Sequence, residues 1–182
     1  MIPERRTHYP LLIYTWLVRT ATGWLPDAPP LMRFRGWLYS FGMRKCGRRL
    51  EVAHDVVLTA IETLELGDGV YLANGCVVLG GGPILIGDNV IFGPLCLLAS
   101  SNHTFNGTNF KGPGTTGAIV IEANSWVGGH STLLIGTHIR AASVVGAGSV
   151  CNRAFDAGQV LIAGSPARVV KAYVRDTAID HV

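Results

Sequence analysis

Apolar residues recur at every sixth position in the second half of the chain. The positions are Ile121, Val127, Leu133, Ile139, Val145 and Cys151. A period of six differs from the 3.6-residue repeat of an α-helix and from the alternation of one long strand, but it suits short strands joined by corners. If three hexads make one turn, residues eighteen apart lie side by side. The pattern therefore predicts a parallel β-helix in which Ile121, Val127 and Leu133 each stack on the residue eighteen positions later.

The same spacing begins earlier, with two additional residues at one corner of each turn. These hexad positions are Cys46, Val52 and Leu58, then Leu66, Leu72 and Val78, then Ile86, Phe92 and Leu98. The fourth residue after a hexad position is usually small or of modest size, as in Val70, Cys76 and Ser131. A narrow triangular core needs such residues, because two inward side chains on each face share little space. We therefore expect an all-β solenoid.

All four cysteines occupy either a hexad position or the fourth residue after one, and they show no CxxC spacing. They are Cys46, Cys76, Cys96 and Cys151. Cysteine behaves as a small hydrophobic residue in a core. We therefore interpret these thiols as reduced core residues rather than nucleophiles or metal ligands.

The six-residue repeat is interrupted once, between Leu98 and Ile121, which are 23 residues apart. The interruption contains the polar, glycine-rich sequence SSNHTFNGTNFKGPGTTGA, and such an excursion from a rigid solenoid is where function is usually located. We expect three parts: an N-terminal helical segment at 1–45, a β-helix at 46–155 with its excursion at about 100–118, and a C-terminal tail at 156–182 with a short helix. Arg168, Lys171 and Arg175 would lie on that helix.

The N-terminal segment is apolar over residues 9–25, interrupted by Arg19. It is too short to predict a transmembrane helix, which needs about 20 apolar residues. A second helix is predicted over residues 31–43, where Phe34, Leu38 and Phe41 recur at helical spacing. The helices would pack on the body or on a neighbouring subunit. The alternative is peripheral membrane association through residues 9–45.

The composition indicates which class of protein this is. A length of 182 residues with 48% apolar content favours one globular domain. The 15 basic and 12 acidic residues leave a net charge of +3, which is too small to predict nucleic-acid binding. A basic cluster before the repeats leaves an anionic partner as an alternative. The sequence shows no convincing secretory signal, so we predict a cytoplasmic protein, with the inner face of the membrane as the alternative site.

Several segments together resemble the hexapeptide-repeat acyltransferases. They are IGDNVIFGP at 86–94, NH at 102–103, NSWVGGHSTLLIGTHI at 124–139, VVGAGSV at 144–150 and AGSPARVVK at 163–171. The resemblance covers about residues 46–171 and is greatest to the O-acetyltransferases of sugars and polysaccharides, of the galactoside, maltose and exopolysaccharide types. It implies a left-handed β-helix, a homotrimer, acetyl-CoA as co-substrate, a carbohydrate acceptor and no metal.

The resemblance also implies roles for individual residues. His103 would be the general base that takes the proton from an acceptor hydroxyl, a role that suits an imidazole near neutral pH. Asn74 and Trp126 would contact the acceptor, and the backbones of Gly129 and Ala147 would face the pantetheine arm. Backbone N–H groups would stabilise the oxyanion.

Further positions match the family's polar contacts to CoA. They are Asn152, Arg153, Arg168 and Lys171. A Thr-Lys pair is common where this chain has Asn152-Arg153, so the positive charge is retained while the hydrogen bonds differ.

Two other functions remain open. A non-catalytic hexapeptide-repeat scaffold would have the same periodicity. A zinc enzyme of the carbonic-anhydrase type would use His103, His130 and His138, but His130 is the third residue after one hexad position and His138 the fifth after another. They would therefore occupy unlike corners and would not stack, which disfavours a zinc site.

Overall fold

The computed structural model of the chain describes residues 8–112 and 114–173. Two helices, α1 (His8–Thr22) and α2 (Pro29–Ser40), precede a series of short strands, with one 3-10 turn at Ile61–Thr63. The strands are β1 (Lys45–Cys46), β2 (Glu51–Val52), β3 (Val57–Leu58), β4 (Leu64–Leu66), β5 (Tyr71–Leu72), β6 (Val77–Leu79), β7 (Ile84–Ile86), β8 (Ile91–Phe92), β9 (Leu97–Ala99), β10 (Ser101–Asn102), β11 (Thr115–Thr116), β12 (Ile119–Ile121), β13 (Trp126–Val127), β14 (Thr132–Leu134), β15 (His138–Ile139), β16 (Val144–Val145), β17 (Val150–Cys151), β18 (Val160–Gly164) and β19 (Ala167–Ala172).

Three sheets form the faces of a solenoid, and each coil contributes one strand to each face. Face A has the order β1-β4-β7-β12-β15, and face C has the order β3-β6-β9-β14-β17. Face B has the order β2-β5-β8-β13-β16-β18, and β19 lies antiparallel at its end. All neighbours within faces A and C are parallel. The predicted solenoid is therefore confirmed.

The six-residue period sets the register of the coils. Ile121 pairs with Ile139, Val127 with Val145 and Leu133 with Cys151, as the eighteen-residue spacing predicts. Cys46 pairs with Leu66 in the longer coils. Ile86 pairs with Ile121 across the excursion, so the register resumes unchanged after it.

The predicted small positions are all buried. They are Val56, Val70, Cys76, Val90, Cys96, Ser125, Ser131, Ser143 and Ser149. The serines of the later coils have partners for their hydroxyls: Ser131 Oγ donates to the Gly146 carbonyl at 3.1 Å, and Ser125 Oγ to the Arg140 carbonyl at 3.2 Å. A buried hydroxyl needs such a partner, so these serines fill the narrow core with their hydroxyls hydrogen-bonded.

Arg35 attaches α2 to the first coil, and its side chain is fully buried. Its guanidinium donates to the carbonyl oxygens of Thr22, Leu25 and Val52, and Nη1 lies 3.2 Å from an Asp27 carboxylate oxygen. A buried charge is tolerated only when it is paired and hydrogen-bonded, as here. In the part of the chain that the structure describes, no helix combines the length and apolar character needed to cross a membrane.

The prediction of a C-terminal helix is wrong for the residues that the structure describes there. Residues 160–164 and 167–172 form an antiparallel hairpin, and β18 extends face B beside β16. The end of a solenoid presents unpaired backbone groups, and a strand satisfies them where a helix would not. The β-branched pair Val169-Val170 also favours a strand. Arg175, expected on that helix, lies outside the described residues.

We predict that Gly36→Ala destabilises the protein by about 1–3 kcal/mol, although alanine favours helix formation. A β-carbon at Gly36, on the buried side of α2, would overlap the Leu50 carbonyl oxygen. Urea unfolding measures the change. The matched control is Gly112→Ala, where the nearest atom to a β-carbon is 3.6 Å away. Equal stability of the two variants would contradict the tight packing of α2 on the first coil.

Candidate active site

The excursion leaves the solenoid at the corner between faces C and A, which we call the C–A edge. Its stem is the antiparallel pair β10–β11, and residues 101–111 are exposed. Its tip is held by Asn106, whose Oδ1 accepts from the backbone N–H groups of Thr108 at 3.0 Å and Asn109 at 2.9 Å. These bonds give the tip a defined conformation before any ligand binds.

His103 is the first residue after the stem, and its ring is oriented by the loop itself. Nδ1 lies 3.1 Å from the Phe110 carbonyl oxygen. A carbonyl oxygen can only accept, so this contact requires a proton on Nδ1 and leaves the lone pair on Nε2. The Phe105 and Phe110 rings, with centroids 5.2 Å apart, pack together in the same loop. The arrangement presents an imidazole in the tautomer that a general base needs.

A second group of predicted site residues lies at the corner between faces B and C, which we call the B–C edge. Gly148 N–H donates to the Gly129 carbonyl at 2.9 Å, so Gly129 and Ala147 lie on adjacent coils. A β-carbon at Gly128 would lie 2.6 Å from the Ala147 nitrogen, and one at Gly129 would lie 2.9 Å from the Pro94 carbonyl oxygen. Coil packing therefore requires glycine at both positions. Together with the exposed Ala147 they form a strip of small residues along this edge, which we call the low strip.

Trp126 lies on face B, beside that strip. It pairs with Ile91 and Val144 of the neighbouring coils, and about half of its surface is exposed. An exposed indole beside exposed Ile91 gives face B an apolar patch. Such a patch suits contact with a ligand or with another chain.

The four polar residues predicted to contact CoA divide between two places. Arg168 and Lys171 are exposed on β19, opposite Ala163 and Leu161 of β18 at the end of face B. Asn152 and Arg153 are exposed at the C–A edge, where the Arg153 guanidinium lies 5.8 Å from the centre of the Phe155 ring. Each pair could contact phosphate groups, but face C separates one pair from the other.

The predicted site residues therefore lie on two different edges of one chain. His103, Asn152 and Arg153 are on the C–A edge, whereas Trp126 and the Gly129 strip are on face B and the B–C edge. A base on one edge cannot serve a groove on the other within the same prism. The two parts meet only if the C–A edge of one chain faces the B–C edge of another.

Asn74 also lies at the B–C edge, in a cluster that sequence reasoning missed. Its Nδ2 donates to Asp27 Oδ2 at 2.7 Å, and the same oxygen lies 2.7 Å from His54 Nδ1. Burial alone would raise the pKa of Asp27, but hydrogen bonds from His54 and Asn74 outweigh it and lower that pKa. No periodicity marks this cluster, because Asp27 belongs to the proline-rich linker and His54 to a corner.

The three histidines of the zinc alternative are not gathered in one chain. His138 Nε2 lies 2.8 Å from a Glu122 carboxylate oxygen on face A, His130 is at the B–C edge, and His103 is in the excursion. Among residues 8–112 and 114–173, no group of three or more His, Cys, Asp or Glu side chains is placed to hold a metal ion.

Comparison with known proteins gives matches in both sequence and fold. No protein-family model matches the chain. A Staphylococcus aureus protein, provisionally named as an acetyltransferase, is 37% identical to this chain over 114 residues. The match covers 62% of this chain and 57% of that protein. The galactoside O-acetyltransferase of Escherichia coli is 29% identical over 114 residues, 59% of this chain and 53% of the enzyme. The match thus spans little more than half the length of these relatives.

A solved structure covers more of the chain. The hexapeptide-repeat acetyltransferase of Vibrio cholerae, complexed with acetyl-CoA, superposes with a TM-score of 0.79 and 26% identity, covering 90% of this chain and 87% of the other. The fold is that of the hexapeptide-repeat acetyltransferases. The resemblance inferred from the sequence motifs and the left-handed β-helix that it implies are confirmed by these matches.

The hexapeptide-repeat core leaves the cysteines little reactivity. Cys76, Cys96 and Cys151 are buried and Cys46 is partly buried, all as free thiols. Burial raises the pKa of Cys151 to about 12. Burial, with a smaller contribution from the Asp68 charge, raises the pKa of Cys46 to about 11. A thiol with so high a pKa is a poor nucleophile near neutral pH. The hydrogen bond with Cys76 lowers the pKa of Cys96, but that thiol is fully buried and cannot reach an acyl donor, so a cysteine-bound acyl group is disfavoured.

We predict that the native protein reacts within minutes with at most one equivalent of a thiol-specific disulfide reagent, at Cys46, and that the unfolded chain reacts with four. Burial of the other three thiols is the reason. Absorbance of the released thiolate measures the count, and Cys46→Ser is the control that should remove the native reaction. Fast reaction of a second native thiol would contradict the packing of the core.

Proposed function

We propose that this protein is an acetyl-CoA-dependent O-acetyltransferase that acts on a hydroxyl of a sugar or polysaccharide precursor. The observation that carries the proposal is the orientation of His103, whose Nδ1 faces the Phe110 carbonyl and whose Nε2 is left as acceptor. The fold match to an enzyme complexed with acetyl-CoA supports the co-substrate. The sequence match to a galactoside O-acetyltransferase supports the acceptor class.

The proposed reaction is direct transfer within a ternary complex. Acetyl-CoA supplies an activated acetyl thioester. His103 Nε2 takes the proton of the acceptor hydroxyl as the oxygen attacks the thioester carbonyl, the C–S bond breaks, and the proton passes to the departing thiolate. No acyl-enzyme is needed, in keeping with the high pKa values of Cys46 and Cys151.

The proposed site lies between two chains of a homotrimer. The C–A edge of one chain would supply His103, and the B–C edge of its neighbour would supply Gly129 and Ala147 for the pantetheine arm. Trp126 and the exposed Asn74 would flank the acceptor. Arg153 with Asn152, and Arg168 with Lys171, would contact the CoA phosphates from the two sides of the cleft. A cyclic trimer forms three such sites from one kind of interface.

We predict that His103→Ala lowers the turnover of acetyl-CoA with a sugar acceptor by about 10²–10⁴-fold, because it removes the general base. Release of CoA thiol with a panel of sugars measures the rate. The affinity for CoA, measured by calorimetry, should be unchanged, since the imidazole acts on the acceptor.

The control is His138→Gln, which alters a histidine paired with Glu122 on face A and should leave turnover near the wild-type value. Equal turnover in His103→Ala and the wild type would reject the assigned base. Absence of CoA binding by the wild type would instead favour a non-catalytic scaffold.

We predict that two inactive variants restore activity when their subunits are mixed. His103→Ala removes the base, and Ala147→Trp blocks the low strip at the B–C edge. If the site lies between chains, random assembly of equal amounts yields about a quarter of the wild-type sites, because each site needs an intact edge from two chains. Turnover after joint unfolding and refolding measures the recovery.

The mixed sample is compared with each variant refolded alone, which should stay inactive. A site contained within one chain predicts no recovery, because every chain in the mixture carries one defect. Wild-type protein refolded by the same procedure sets the scale.

A further inference from the structure

The outward side of α2, together with its C-cap residue Phe41, carries a ladder of aromatic rings. Phe34, Trp37 and Phe41 are all exposed, and 55% of Trp37 is accessible. The ring centroids of Phe34 and Trp37 are 6.0 Å apart, and those of Trp37 and Phe41 are 4.9 Å apart. Three adjoining aromatic rings in water form an apolar patch that isolated exposed residues would not.

The ladder is held in place by the opposite side of the helix. Met32, Arg35, Gly36 and Tyr39 are buried against the first coil, and Arg35 donates to the Val52 carbonyl at 2.5 Å. The aromatic rings therefore project from a helix whose core-facing side is already satisfied. Rotating α2 to hide them would break the Arg35 hydrogen bonds and expose its buried residues.

Basic side chains adjoin the ladder. The crevice between α2 and the first coil is lined by Trp37 together with Arg33, Arg48 and Arg49. Arg33 pairs with Glu51 at 2.7 Å and Arg48 with Asp68 at 3.5 Å, while Arg49 has no ion pair among the described residues. Arg48 and Arg49 are exposed. The neighbourhood of the rings thus carries an excess of positive charge.

We propose that these six residues, Phe34, Trp37, Phe41, Arg33, Arg48 and Arg49, form a docking face for an anionic lipid bilayer. Tryptophan and phenylalanine insert at the boundary between headgroups and acyl chains, and arginine attracts anionic headgroups. The rings and Arg33 lie on or next to α2, and Arg48 and Arg49 lie on the adjoining first coil. This face therefore places α2 on the membrane surface rather than across it. The proposal goes beyond acetyl transfer and does not depend on it.

Charge argues for a bilayer over a second copy of the chain at this face. A two-fold contact through the ladder would bring together two copies of the same positively charged face, and like charges repel. An anionic surface instead provides counter-charge to Arg49, which has no ion pair within the described residues.

The test is co-sedimentation of the full chain with vesicles, without acetyl-CoA or acceptor. We expect binding to vesicles of phosphatidylcholine mixed with phosphatidylserine, little binding to phosphatidylcholine alone, and release at about 0.5 M salt as charges are screened. Arg48→Gln and Arg49→Gln should each weaken binding about fivefold. Trp37→Ala should also weaken it, whereas Trp126→Ala, which removes a tryptophan of similar exposure from face B, should not.

Particular outcomes would overturn the proposal. Equal binding to neutral and anionic vesicles, or full binding by the two arginine variants, would reject the anionic face. If vesicles do not bind and Trp37→Ala changes the oligomeric state in light scattering, the ladder is an interface between copies of the chain. Circular dichroism of each variant confirms that the solenoid is folded. Failure of acetyl transfer would leave these results unaffected, since no step of the assay uses it.

Discussion

The structure depends on the stacking of equivalent coil positions, one above the other, along three faces. Each inward side chain packs on its counterpart in the next coil, as Val127 does on Val145, and each strand pairs with both neighbours. Backbone groups in the middle of the solenoid are therefore satisfied by repetition alone. Among the described residues, the three faces have free strand edges at the two ends of the solenoid, and these ends are covered differently. The helical segment covers the first coil through Arg35 and Val52, and β18 with β19 continues face B at the last coil.

Repetition also explains what the sequence could predict. Once three hexads make one coil, a six-residue period determines which residues of neighbouring coils pair. The pairing of Leu133 with Cys151 therefore follows from the spacing alone. The C-terminal segment has no period, and local features after Gly164 suggested a helix. The unpaired edge of β16, which is a property of the assembled fold, selected a strand instead. The Asp27–His54–Asn74 cluster escaped prediction for the same reason, since its members are brought together by packing of the linker on a corner.

The excursion shows how a rigid solenoid accommodates an inserted loop. Ile86 and Ile121 are neighbours in face A although they are 35 positions apart, so the inserted residues leave the register intact. The loop then needs only its own contacts to define a shape, and the Asn106 turn and the His103–Phe110 contact supply them. The sequence motifs mark His103 as a candidate base, but they do not predict the Phe110 carbonyl oxygen that fixes its tautomer, because that contact depends on how the loop closes.

The glycines of the B–C edge illustrate why motif residues need a structural reading before they are given a role. A β-carbon at Gly128 or Gly129 would strike the backbone of an adjacent coil, so coil packing alone requires glycine there, whether or not a ligand binds. Ala147 and the exposed Trp126 are not required by that packing in the same way, since Trp126 projects outward from its strand. The argument for a groove on this side therefore depends more on Trp126 and on the basic residues of β19 than on the glycines. Because these residues and His103 occupy separate edges, any chemistry that joins them needs a second chain.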